Sequence, residues 1–155
     1  MKEQKLKTWH IILLIIIALT YLGLKLWQLH WPEAIVELKG QKLQVLVAKI
    51  PQHQYKGLGG RESLAEYDGM LFIYPEKKKL GIVMRDMEFP IDIVWLDSGV
   101  VIDLVTNVPL EEDIPEAQLT RYYPRKEVNL VLELPAGWVE KHDVAIGDRL
   151  ILVED

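Results

Sequence analysis

Pro90-Ile91-Asp92-Ile93-Val94-Trp95-Leu96-Asp97-Ser98-Gly99, continued by Val100-Val101-Ile102-Asp103-Leu104-Val105-Thr106-Asn107-Val108, reads as two strands joined by a tight turn. Both flanks are dense in β-branched and aromatic residues, and Asp97-Ser98-Gly99 between them is a strong hairpin signal. Strand alternation places Asp92, Val94 and Leu96 on one face and Ile91, Ile93 and Trp95 on the other. A β-hairpin therefore lies at the heart of the chain. It also carries a carboxylate set among apolar neighbours.

Working outward, the same grammar recurs. Residues 34–38 and 43–50 are β-rich runs separated by Lys39-Gly40-Gln41, and Pro51 stops the second. Residues 52–58 suit a short helix ending at Gly57 or at Gly59-Gly60. Residues 69–74 form a strand, closed by Pro75 and the polar loop 76–79, and residues 80–84 form another short strand. Residues 109–124, with three prolines and the acidic run Glu111-Glu112-Asp113, make a surface excursion. Residues 128–134 alternate as a strand, 136–142 suit two helical turns, and Gly147-Asp148 turns into a last strand over 149–153. Seven to eight short strands with one or two short helices predict a mainly β domain, a small barrel or sandwich, with α+β left open.

The N-terminal thirty residues follow a different rule. From Ile11 to Leu24 there is no charge, and ten of those fourteen residues are Leu or Ile. Taken over residues 11–29, a helix would be roughly 28 Å long, close to the ~30 Å hydrocarbon core of a bilayer. Trp9 stands at one edge and Trp27 and Trp31 at the other, and Lys25 near the end can snorkel. Lys2, Lys5 and Lys7 precede the segment, so the positive-inside rule predicts a cytoplasmic N-terminus and an extracytoplasmic remainder. No small-x-small pair follows the apolar run as a cleavable signal peptide requires, so the segment reads as a retained anchor. The expected organisation is a tail and single-pass membrane anchor over 1–31, then one β-rich domain over 32–155.

Charge narrows the partners. Residues 32–155 carry 14 basic and 22 acidic side chains, a net of −8. Such a domain repels phosphate backbones, which argues against nucleic acid. The chain has no cysteine, which removes disulfides, thiolate nucleophiles and thiolate metal sites.

Several residues invite chemistry and are weaker than they look. His10 and His30 flank the apolar segment, while His53 and His142 sit on separate elements at no metal-ligand spacing, so they read as surface histidines and no metal or cofactor is expected. Ser63 and Ser98 are the only serines, and neither lies in a nucleophile elbow. Gly57-Leu58-Gly59-Gly60-Arg61 could cradle an anion, but no Lys-Ser or Lys-Thr follows to make a phosphate loop, and a helix stop explains it. Asp92 needs a partner if its face is buried, with Arg61 or Arg85 as candidates for a structural ion pair. Glu133, between Leu132 and Leu134, has the same character, and two inward carboxylates could act as acid and base. Ile146-Gly147-Asp148-Arg149 reads as a structural turn.

Four stretches carry a resemblance. They are Gly57-Leu58-Gly59-Gly60-Arg61 with Ser63-Leu64; Gly69-Met70-Leu71-Phe72; Met84 followed by residues 90–97; and Leu132-Glu133-Leu134 with Gly137 and Ile146-Gly147-Asp148. In this order they resemble the "domain of unknown function 192" family, small β-rich prokaryotic domains often carried behind a signal or membrane anchor. The resemblance spans nearly all of residues 35–153 and implies fold and location, with no activity to carry over. It also shows a departure. Family members usually place Trp before the Met of the third motif and Lys-Asn-Thr after it, where this chain reads Val83-Met84-Arg85-Asp86-Met87.

Two classes of function follow. One is an envelope binding or interaction module whose groove is lined by Arg61, Met84, Arg85 and Asp92, its partner an envelope ligand or protein. The other is a carboxylate-dependent envelope enzyme, a hydrolase or lyase, with Asp92 and Glu133 as its chemistry. The scarcity of His, Cys and Ser favours the first.

Overall fold

Two hairpins set the frame of the domain. The computed structural model describes the backbone of residues 8–29 and 31–153, and the side chains of residues 9–25 and 31–153. Strands β1 (Glu33–Leu38) and β2 (Gln41–Ala48) pair antiparallel, with Leu38 opposite Gln41. Strands β4 (Ile91–Asp97) and β5 (Val100–Val108) do the same, with Asp97 opposite Val100. The two-residue turns, Lys39-Gly40 and Ser98-Gly99, have positive φ at both positions (56° and 73°; 50° and 83°). That backbone matches the right-handed twist of the strands it joins, and glycine adopts it without a Cβ penalty.

Between the hairpins, α2 (Pro51–Lys56) carries the chain from β2 to the parallel strand β3 (Gly69–Lys78). A parallel pair needs such a crossover. Pro51 occupies the first turn of α2, and Gly57, at φ 52°, donates its amide to His53 O at 2.8 Å to end it. Strand β6 (Val128–Pro135) then inserts between β3 and β4, α3 (Trp138–Lys141) follows, and β7 (Leu150–Val153) pairs with β1. The result is one seven-stranded sheet in the order β5-β4-β6-β3-β2-β1-β7. It curls into a half-barrel whose edges meet at one corner, where Val101 N donates to Asp148 O at 2.9 Å and Leu150 N to Gly99 O at 2.8 Å. Among the described residues there is one sheet, and no second sheet packs on it as a sandwich would require.

Both faces of the central strands are buried. On the concave side Val36, Val45, Leu71, Val94, Leu96, Leu132 and Leu134 pack with Val139 and Val144. The register Met70–Glu133–Ile93 and Phe72–Val131–Trp95 defines the opposite face. There Trp95 Nε1 donates to Leu80 O at 2.8 Å and holds residues 80–84 against the sheet.

Two local expectations are corrected here. Residues 80–84 are not a strand, although Leu80, Ile82 and Met84 are buried as alternation requires. Ile82 makes a single bridge to Tyr122, because β3 already has β2 and β6 as neighbours and offers no free edge. Nor does Pro75 close β3; the strand continues to Lys78, and Pro75 sits in the register shift between Ile73 and Lys78, where no ladder donor is required.

The chain divides between Trp31 and Pro32 into two compact units. The first contains α1 (Thr8–Leu29), whose Ile11, Ile15, Ile17, Leu19, Leu22 and Leu24 are all exposed. Among the described residues, no helix is long and apolar enough to cross a membrane. Lys2, Lys5, Lys7 and His30 lie outside the described residues, as does the side chain of Trp27.

Candidate functional site

Asp92 and Glu133, the two carboxylates that sit among apolar neighbours in the sequence, are both buried, 0% and 5% exposed. They do not meet. Asp92 stands opposite Leu134 and Ile93 opposite Glu133, so the two carboxyls project from opposite faces of the sheet. The acid–base pair is therefore ruled out by register.

Asp92 is also not held by a guanidinium. Its Oδ1 accepts from the amides of Asn107 (2.8 Å) and Gly137 (3.1 Å), and its Oδ2 accepts from the amide of Val139 (2.8 Å). Among the described residues no ion pair reaches it. Three main-chain donors satisfy the buried carboxyl group and tie β4 to the end of β5 and the start of α3. Asp92 is thus a structural fastener, and the expected groove of Arg61, Met84, Arg85 and Asp92 is not built.

Glu133 has the opposite environment. It sits on β6, flanked by Met70 of β3 and Ile93 of β4, at the floor of a cavity of about 210 Å³. Among the described residues nothing hydrogen-bonds its carboxyl group, and burial alone pushes its pKa up to about 8. At neutral pH it is therefore a protonated acid with a hydroxyl to donate. Its nearness, after burial, also raises the pKa of Tyr74.

The walls come from four segments. Helix α2 and its cap supply Tyr55, Lys56 and Leu58, β3 supplies Phe72 and Tyr74, residues 81–87 supply Arg85, and the excursion supplies Glu116 and Arg121. Arg85 is fixed on three sides. It pairs with Glu116 at 2.8 Å, donates to Tyr55 O, and lies 3.8 Å over the Tyr55 ring. Gly59 lets the α2 cap approach, since a Cβ there would stand 2.8 Å from Arg85 O. Met84 and Arg85 also line a neighbouring cavity with Asp86 and Glu111–Asp113. Among the described residues no group of His, Cys, Asp or Glu could hold a metal ion.

Of the expected site residues, then, Arg85 and Glu133 share a pocket, Met84 lies buried beside it, and Asp92 is on the other face. Arg61 follows the α2 cap, with its amide bonded to Leu58 O. His53 is buried in α2, not solvated. Arg121 and Tyr74 were missed. The Tyr122-Tyr123 pair in a polar loop was the available sign that residues 109–124 fold back onto the sheet.

Fold and pocket together define a single curled sheet with a buried acid beneath a cationic rim. The chain belongs to the DUF192 family, described as "Uncharacterized ACR", whose model matches residues 34–152. No curated protein matches it. Among solved structures it resembles a proposed transcription regulator from Sinorhizobium meliloti 1021, with a TM-score of 0.71 and 28% identity over 80% of this chain and 96% of that one. It also resembles a protein of unknown function from Novosphingobium aromaticivorans DSM 12444, at 0.65 and 20% identity over 77% of this chain and 84% of that one, a likeness of fold alone.

Proposed function

We propose that this protein is a membrane-anchored, extracytoplasmic binding module of the cell envelope that holds a small ligand over Glu133. One observation carries the binding reading: a protonated, otherwise unengaged acid forms the floor of a pocket with polar and aromatic walls. The Glu133 oxygens open into this cavity and are not sealed in the core, so a group bound there meets the acid directly. The anchor is supported by the sequence of residues 11–29 and by apolar side chains exposed along α1.

The reading is tested on the full chain in detergent micelles by screening neutral and charged fragments with NMR. Shifts centred on Glu133, Tyr74 and Arg121 are expected, and a screen that perturbs none of them would refute it. The alternative, a hydrolase or lyase, would have Glu133 as a general acid. The other carboxylate of the pocket, Glu116, is engaged by Arg85 at 2.8 Å and so poorly placed to act as a base. Regulation of transcription belongs to the Sinorhizobium protein's description; here a net charge of −8 over residues 32–155 disfavours nucleic acid.

A further inference from the structure

The chemistry of the pocket narrows its ligand, an inference that rests on the binding reading above. Lys56, Arg85 and Arg121 line the cavity, and Glu116 is the acid that answers one of them, through its bond to Arg85. With Glu133 neutral, the lining carries two positive charges in excess. The domain around it carries −8. Such a cavity runs against the field of its own protein, so it favours a small anion while the outer surface repels large polyanions.

Size and walls restrict the anion further. About 210 Å³ is roughly seven water volumes, enough for a single ring with its substituents. Phe72 and Tyr74 give one side an aromatic character. The geometry points to a small organic carboxylate, one oxygen accepting the Glu133 hydroxyl, the other facing the rim cations, and the body lying against Phe72 and Tyr74. A hydroxyl donating to a carboxylate is among the stronger hydrogen bonds available to a buried acid. Ionised Glu133 could not make it and would repel the ligand.

The groups that face this acid are few. Tyr55 and Lys56 come from α2, Tyr74 from β3, Arg85 from residues 81–87, and Glu116 and Arg121 from the excursion; β4 contributes none among the described residues. Because burial holds the Glu133 proton up to about 8, binding should be nearly level around pH 6.5, fall to about half near pH 8 and weaken further above it.

Calorimetric titration of the full chain in a neutral detergent, with benzoate, benzamide and inorganic phosphate at pH 6.5 and 9, tests this. Benzoate should bind at least tenfold more tightly than benzamide and weaken severalfold at pH 9. Glu133→Gln, which keeps a donor, should retain benzoate and lose the pH response, whereas Glu133→Leu should abolish binding; urea unfolding checks that both variants fold. Benzamide binding as tightly as benzoate would overturn the anion and leave the binding module standing. Phosphate equal to benzoate would overturn the organic carboxylate. A wild-type affinity unchanged at pH 9 would remove Glu133 from recognition. If no probe of either kind binds, and the fragment screen is also silent, the binding reading falls as well.

Discussion

Glu133 and Asp92 lie on adjacent strands, yet burial treats their carboxyls in opposite ways. Asp92 receives three main-chain amides, which engage both of its carboxyl oxygens. Replacing it by Asn sets an amide donor against the Val139 N–H and removes charge assistance, so about 2–4 kcal/mol of stability should be lost in urea unfolding. Because amides hold Asp92, the Asp92→Asn and Arg61→Met effects should add; a double variant less destabilised than that sum would restore the ion pair. For Glu133 the consequence is a pH dependence. Burial pushes its pKa in the folded chain up to about 8, from an ordinary carboxyl value of 4.5. The unfolded chain loses this proton first as pH rises, so the stability that the neutral side chain permits is complete below about 4.5 and is lost up to about 8. The slope is about 1.4 kcal/mol per pH unit. Glu133→Gln should remove that slope, and unfolding curves that run parallel for the two proteins from pH 5 to 8 would contradict it.

At the scale of elements, glycine marks the points where strands and loops close on one another. A Cβ on Gly69 would stand 2.4 Å from Glu133 O, backbone that cannot swing aside. Gly69→Ala should therefore cost about 1–3 kcal/mol by forcing β3 from β6, and thermal unfolding close to wild type would show that the strands can separate freely. Both hairpins were legible because their turn residues and alternation are local signals. The helix stop at Gly57 was legible for the same reason. Residues 80–84 carry an alternation that is real in their burial, yet no periodicity says whether a sheet has an open edge to receive them. For Asp92 the sequence says only that a partner is needed if its face is buried, and names Arg61 or Arg85 as candidates. Its donors come from Asn107, Gly137 and Val139, up to 47 residues away, and main-chain amides leave no trace in side-chain identity. Glu133 was read as an inward carboxylate, but its pocket needs Arg121 from a loop that looked merely polar.

For the whole molecule, charge and hydropathy are divided along the chain. The first 31 residues carry a net +3 and the rest −8. If residues 11–29 anchor the chain with its N-terminus inside, protease added to spheroplasts should remove the domain and leave a small membrane-bound stub. A mature chain beginning near residue 24 or 32 would contradict the anchor. Within the domain, the pocket reverses the prevailing sign, and everything proposed for it depends on Glu133 holding its proton at neutral pH. The most direct test is a carbon-13 NMR titration of the Glu133 side-chain carboxyl in the full chain, assigned through Glu133→Gln. The account predicts a midpoint near 8 in the free protein. A midpoint near 4.5 would mean that the group is ionised and solvated, and would contradict it.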